Sequence, residues 1–321
     1  MKQKKGIFII SLDTELAWGG FDLGLTEKNR KYYEDSRDCI YRLLMLFEKY
    51  NIQATFAIVG HIMLNGCTEV EGIKHPDIVR PEHSWYLKDW FIEDPASHMS
   101  KNSIWYGQDI LKEILAASPQ HEIASHSFSH IIFGAKGCTY ECARSDIHKC
   151  VEIAGQQDIK LKSFIYPRNS EGYKEILKEE GFEVYRGSGN EWYNKFNFSI
   201  LKKVGHIIDE VFAIAPKTSL PVKDESGLYN VKGNMLYLSR DGIRKLIPIS
   251  SRVKKAKKGI DKAVKGGEVF HLWLHPFNIA TDKENLLQGM DEILNYVREK
   301  IDLDQMTSMV ISDIPISMDE Q

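Results

Sequence analysis

The sequence predicts an α/β fold with a barrel-like, mainly parallel sheet. Three observations lead there. Short apolar, β-branched runs alternate with segments of helical periodicity along the chain, without a linker or an internal repeat. A strand, a helix and a second strand fit within the first 60 residues, as a βαβ unit does. Four of the apolar runs end in ionisable residues, as parallel strands do when their carboxyl ends build a site.

The elements follow in order. Residues 6–12 form a continuous apolar run, the pattern of a strand buried on both faces. Residues 35–50 carry Ile40, Leu43, Leu44 and Phe47 at helical spacing. Residues 53–60 read as a second strand that ends at Gly60. The segment 61–107 breaks the rhythm: it is long, and it carries Pro76, Pro81, Pro95, Trp85, Trp90 and Trp105. It reads as an insertion over the barrel, too aromatic to be disordered. Helices are then expected over 108–118, 139–156, 170–180, 240–265 and 283–300. Strands are expected over 122–125, 161–166, 182–185, 268–274 and 309–311. Residues 190–236 give no clear pattern. The chain, 1–321, reads as one domain with the insertion at 61–107.

Composition excludes more than it names. With 43% apolar and 27% charged residues, the chain is neither disordered nor a disulfide scaffold. A net charge of −3 gives no reason to expect nucleic-acid binding. No apolar stretch is long enough for a transmembrane helix. The five cysteines include no C-x-x-C pair, and no export signal is legible. Reduced thiols and a cytoplasmic location are therefore expected.

Candidate chemistry sits at the strand ends. Asp13 and Glu15 are two apart, so both side chains point the same way at the mouth of the first strand. Two close carboxylates repel unless a cation lies between them or one keeps its proton. His126 and His130 are at i and i+4, a spacing that on a helix puts both on one face for one metal ion. Two histidines and a carboxylate make the ligand set of a catalytic divalent metal. Arg168, after the strand 161–166, can orient a carboxylate through its planar fork. His275 ends a late strand and can protonate a leaving amine. His271, four residues earlier, reads better as a satisfied core histidine.

In this order the segments resemble the polysaccharide deacetylases of carbohydrate esterase family four. The matching segments are Ser11–Glu15, Ala54–Ala57, His121–His130, Tyr166–Arg168 and the strand ending at His275. The spacing of Asp13 and Glu15 resembles a variant branch with an Asp-x-Glu first motif, which includes allantoinase-like members. The resemblance implies an irregular (β/α) barrel of about seven strands. It implies a metal-dependent N-deacetylase with His126, His130 and Glu15 as ligands and Asp13 as general base; the two carboxylates could also exchange roles. His275 would be the general acid, and Arg168 would hold Asp13. Trp192, with Trp85 and Trp90 of the insertion, would stack on sugar rings. The cofactor implied is one divalent ion, zinc first, with cobalt, nickel or manganese as alternatives.

Together with a cytoplasmic location, this points to an N-acetylated sugar or a carrier-linked glycan precursor in surface-polysaccharide synthesis. The cations of 252–265 offer a peripheral contact to phosphates or an anionic membrane surface. The alternatives are an allantoinase-like hydrolase of a cyclic amide and a non-catalytic glycan-binding relative.

Overall fold

The computed structural model describes residues 4–189 and 199–319. Its strands are β1 (Gly6–Thr14), β2 (Thr55–Ile58), β3 (Glu69–Val70), β4 (Ile73–Lys74), β5 (Glu122–Ser125), β6 (Ser163–Ile165), β7 (Val184–Gly187), β8 (Val222–Lys223), β9 (Tyr229–Lys232), β10 (Met235–Leu236), β11 (Val269–Leu274) and β12 (Met306–Ser308). Its helices are α1 (Glu27–Tyr50), α2 (Gln108–Ala116), α3 (Tyr140–Gly155), α4 (Lys174–Glu179), α5 (Ser199–Val211), α6 (Ile249–Gly266), α7 (Pro276–Ile279), α8 (Lys283–Asp302) and α9 (Ile314–Asp319).

The main sheet runs β10-β11-β1-β2-β5-β6-β7-β9-β8, and β12 adds to the first residues of β1. All its pairs are parallel except β8 with β9. The sheet curls into a half-barrel of the expected α/β type. β3 and β4 form a separate antiparallel hairpin within the insertion.

Some boundaries differ from expectation for local reasons. α1 begins at Glu27 because the Thr26 hydroxyl accepts a hydrogen bond from Asn29 N at 3.2 Å and caps it there. The helix expected over 240–265 is divided at Pro248, which has no N–H to continue the preceding turn; α6 starts after it. The last strand is β12, at 306–308 rather than 309–311. Ile311 instead packs into the barrel interior, and its N–H donates to Thr55 Oγ1 at 3.0 Å.

The cations of 252–265 do not form one solvated basic strip. Arg252 is buried and donates to the carbonyls of Ile247, Ser239 and Arg244, while Lys255 is buried against Asp209 and Glu210. Lys258 reaches the carbonyl of Ala213 at 2.5 Å. Lys255 and Lys258 are thus spent on α5 and the residues just after it, and Arg252 on the carbonyls that precede α6, while Lys254, Lys262 and Lys265 remain exposed.

The two faces of each strand separate the core into two bodies. Phe8, Ile10 and Leu12 point to the helices and join the large outer core. Ile7, Ile9, Ala57, Ala124, Ile165, Val184, Val231 and Val269 point inward and form a thin inner core, closed by Ile311 and Ile314. The inner face then turns polar towards the carboxyl ends. After Ile7 and Ile9 come Ser11 and Asp13; after Val184 comes Arg186; after Val269 comes His271. The opposite end carries Glu122, whose buried carboxylate accepts from Thr55 Oγ1 at 2.7 Å, Ser163 Oγ at 2.5 Å and Ser312 N at 3.2 Å. His271 is fully buried with Nε2 2.8 Å from Ser11 Oγ, the core role expected for it.

Burial pushes the His271 imidazole down to about 3, and the neighbouring Arg186 charge adds to the effect. An unfolded histidine titrates near 6.5. The folded chain therefore binds fewer protons between these values, and stability present above pH 6.5 is lost as pH falls towards 3. Replacing the ring by a neutral donor removes that proton. In urea titrations between pH 7 and pH 4, His271→Gln should lower the slope of stability against pH by about 1.4 kcal/mol per pH unit. An unchanged slope would show that His271 stays charged in the fold.

Candidate active site

Asp13 is the penultimate residue of β1, and Glu15 follows the strand. The next residue, Leu16, has φ 48° and turns the chain away into a 3-10 turn, so Glu15 stays at the mouth. Both carboxylates face the same space: His275 Nε2 lies 3.6 Å from Asp13 Oδ2 and 3.5 Å from Glu15 Oε1. Gly19 is required beside them, because a Cβ there would meet Glu15 Oε2 at 2.0 Å.

The two histidines lie on a loop rather than a helix, which corrects the reading of their i, i+4 spacing. β5 ends at Ser125, and Ser127 (φ 63°) and His130 (φ 59°) both adopt left-handed backbone. Local bonds hold this conformation. Ser127 Oγ accepts from His130 N at 2.8 Å. The buried Asp146 carboxylate of α3 accepts from Phe128 N at 2.7 Å, Ser129 N at 3.0 Å and Ser129 Oγ at 2.7 Å. Gly60, two residues after β2, is tightly packed: a Cβ there would lie 3.0 Å from Cys150 Sγ and 3.2 Å from Phe128 Cα.

Glu15 Oε1 is 2.9 Å from His126 Nε2 and 3.2 Å from His130 Nε2. The other nitrogen of His126, Nδ1, donates to the Ile165 carbonyl at 2.8 Å, since a carbonyl can only accept. With Nδ1 committed to that carbonyl, His126 Nε2 faces the Glu15 carboxylate either as the N–H of an imidazolium or as a lone pair across a bound cation. Burial lowers the proton affinity of His130 despite the opposing Glu15 charge, so its ring offers a lone pair. The observed separations approach the roughly 3.3 Å edge of a tetrahedron with metal–ligand bonds of about 2.0–2.1 Å. The donor set and its backbone-oriented imidazole fit a divalent ion.

Asp13 is held by an arginine, but not by the expected one. Arg186, in β7, donates from both terminal nitrogens, Nη1 to Oδ1 at 2.5 Å and Nη2 to Oδ2 at 2.6 Å. Its guanidinium also lies 4.3 Å from the Trp273 ring centroid. Burial alone would raise the Asp13 carboxyl, but the Arg186 charge and hydrogen bonds bring it below its ordinary value. Burial likewise works against Glu15, and His275 and His130 outweigh it, leaving that carboxyl well below the usual range. Arg168 has φ 53°, which swings its side chain to Asp22, 2.6 Å away. The visible signal for Arg186 was a lone arginine two residues after Val184, on an interior strand face where it requires a buried anion.

The aromatic residues divide. Trp90 is buried, packs on Phe21 and Tyr86, and donates from Nε1 to the Ser129 carbonyl at 2.8 Å. It supports the histidine loop and has no face left for a sugar ring, which corrects its substrate-binding assignment. Trp85 is 49% exposed, stacked on His83, with Arg168 5.7 Å from its ring centroid. Trp192 lies outside the described residues. Asp13, Glu15, His126 and His130 are nearly inaccessible, whereas His275 keeps 19% of its side chain open.

Removing one partner of a buried ion pair strands the other charge. Arg186→Met should therefore cost about 3–5 kcal/mol in urea unfolding. Adding Asp13→Asn should restore part of the loss, because no charge is then left unpaired. A double variant no more stable than Arg186→Met would show that the pair does not carry this energy.

A family model described as polysaccharide deacetylase matches residues 21–184. Solved structures share the fold at low sequence identity. A protein of Pseudomonas aeruginosa PAO1 described as a probable polysaccharide deacetylase aligns with a TM-score of 0.61 and 11% identity, over 96% of this chain and 89% of that one. An allantoinase aligns with a TM-score of 0.62 and 12% identity, over 98% of this chain and 90% of that one. A Mycobacterium smegmatis protein described as a putative polysaccharide deacetylase aligns with a TM-score of 0.57 and 11% identity, over 96% of this chain and 94% of that one. No curated protein matches the sequence. The match of the family model to residues 21–184, about half of the chain, places this protein in the polysaccharide deacetylase family.

Proposed function

We propose that the chain is a metal-dependent hydrolase that removes the acetyl group from an N-acetylated sugar or carrier-linked glycan precursor. The observation that carries this reading is the convergence of Glu15, His126 and His130 beside an Asp13 already neutralised by Arg186, with His275 across from both carboxylates. Glu15, His126 and His130 would hold the ion, zinc by the donor set, with cobalt, nickel or manganese able to replace it. When bound, a divalent ion supplies Lewis acidity, lowering the pKa of water and polarising an amide carbonyl.

The chain's own residues supply the rest. Asp13, kept ionised by Arg186, takes the proton of the attacking water. Its low proton affinity suits it to pass that proton on. His275 is the most exposed member of the group and stands 3.6 Å from Asp13 Oδ2, placed to protonate the departing sugar amine. Trp85, half exposed and stacked on His83, is the aromatic residue of the insertion that we assign to a sugar ring. Five free cysteines, four of them buried, agree with a reducing, cytoplasmic setting. The helices contain no span long and apolar enough to cross a membrane, among the described residues. We take the chain as one deacetylase domain with the insertion at 61–107.

The test is acetate release from a panel of N-acetylhexosamines, their nucleotide-linked forms and cyclic amides, read with metal analysis. The wild-type chain should release acetate from the sugars. His126→Ala combined with His130→Ala should lose one equivalent of metal and all turnover. Asp13→Asn should retain the metal and lose about 10²–10⁴-fold in kcat. Turnover confined to cyclic amides would replace the substrate assignment. Loss of metal in Asp13→Asn would exchange the roles of Asp13 and Glu15.

A further inference from the structure

A second group of metal-ligand type lies inside the insertion, apart from the residues of the proposed reaction. His61 follows β2 in a 3-10 turn, Cys67 precedes β3, His75 follows β4, and Asp94 lies further along the loop. Between 61 and 107 this turn and the two-residue strands β3 and β4 are the regular elements described. The four side chains nevertheless converge. His61 Nε2 and His75 Nε2 are 3.1 Å apart, and Asp94 Oδ2 lies 3.1 Å from the first and 3.0 Å from the second. Cys67 Sγ is 3.4 Å from the same oxygen. His61 and Asp94 are almost completely buried, and His75 nearly so.

Two arrangements satisfy these contacts: a His61 imidazolium paired with an ionised Asp94, or a cation held between neutral rings and the carboxylate. His61 Nδ1 lies 3.2 Å from the Trp105 carbonyl, which can only accept, so Nδ1 carries the proton. The Nε2 of a neutral ring is then a bare lone pair facing both a carboxylate oxygen and another imidazole nitrogen. His126 is oriented in the same way in the proposed active centre, by the Ile165 carbonyl. Asp94 is oriented too: its Oδ1 accepts from Tyr106 Oη at 3.0 Å and Ala96 N at 3.0 Å, which leaves Oδ2 for the cluster. Such outer contacts are the usual accompaniment of ligating histidines and carboxylates. Four of the six separations, 3.0–3.4 Å, lie near the roughly 3.3 Å edge expected for tetrahedral zinc, and all four ligand atoms fall within 4.8 Å of one another. A thiolate, a carboxylate and two neutral imidazoles also cancel the charge of a divalent ion, so the buried site is neutral when filled.

The backbone is committed to the cluster. Cys67 N donates to the Ser97 carbonyl at 3.0 Å, and Met99 N to the Asn65 carbonyl at 2.8 Å, which ties the cysteine loop to the turn after Asp94. His75 adopts left-handed backbone with φ 44°, an unusual conformation for a residue with a side chain.

We propose that His61, Cys67, His75 and Asp94 bind a structural zinc ion that staples the insertion. Four protein ligands close the tetrahedron and leave no position for substrate. Binding converts the Cys67 thiol to a thiolate and releases its proton to solvent. The ion also acts on the neighbouring histidine loop by position. Gly60 N and His61 N donate to the carbonyls of Ser127 and Phe128 at 2.8 and 3.0 Å, between the two histidines of the proposed active centre. This inference does not depend on the deacetylase reading.

The two sites differ in sulfur, and that provides the test. The full chain, purified and analysed for metal, should carry two equivalents of zinc. After replacement by Co²⁺ it should show a sulfur-to-cobalt charge-transfer band, since only this site contains a cysteine. Cys67→Ser and, separately, Asp94→Asn should each reduce the zinc content from two equivalents to one, and Cys67→Ser should abolish the band. His126→Ala with His130→Ala should lose one equivalent and keep the band. A wild-type chain with no such band, and with no metal beyond that lost in the His126 and His130 variant, would overturn the second site and leave the proposed function standing. A band that persists while the His126 and His130 variant loses no metal would support the second site and remove the metal from the proposed reaction. The wild-type spectrum decides the matter even if the variants fold poorly.

Discussion

Asp13 and Arg186 leave water together at the mouth of the half-barrel, and the arrangement around them follows from that burial. A lone carboxylate in this position would be protonated, and a lone guanidinium would be prohibitively costly to bury. Paired through two short hydrogen bonds, they form a neutral unit fixed in direction. The pair joins β1 to β7, strands that are not neighbours in the sheet, and so spans the curled interior. Ser11 and His271 extend the polar layer beneath it. Below these the interior is aliphatic, which keeps the charged layer at the end of the strands where loops can approach it.

Glu15 is treated differently by its surroundings. It has no arginine; it faces three imidazoles. Two carboxylates two residues apart therefore meet two environments. One is neutralised by a permanent cation and the other is left for groups that can be neutral. Division of labour between paired carboxylates arises in this way, through surroundings that separate their proton affinities.

The histidine loop is rigid without being helical. Asp146 satisfies its amides from one side, and the Ser127 and Phe128 carbonyls bond the turn at Gly60 and His61 on another. The insertion contributes a third support through the Trp90 indole. The aromatic residues of 61–107 thus mainly build a cover and a brace for the loop. Trp18 lies within this packing, with Phe21, Phe91 and Trp105 around it in edge-on contacts.

The sequence by itself determined the parallel α/β fold, the order of strands and helices outside 61–107 and 190–236, and the carboxylate and histidine ends of β1, β5 and β11. Those features are written in local periodicity and in side-chain alternation, which neighbouring residues specify. The loop conformation at 126–130 escaped it, because an i, i+4 spacing is equally compatible with a helix and with a turn held by a distant aspartate. The choice of Arg186 over Arg168 escaped it as well. Arg168 follows one apolar strand and Arg186 lies near the end of another, and only the curl of the sheet brings Arg186 across to Asp13, while Arg168, with left-handed backbone, reaches Asp22. The convergence of His61, Cys67, His75 and Asp94 was likewise decided by tertiary structure alone. Their spacing is irregular and spread over a loop, so nothing short of the folded insertion brings their donor atoms to one point.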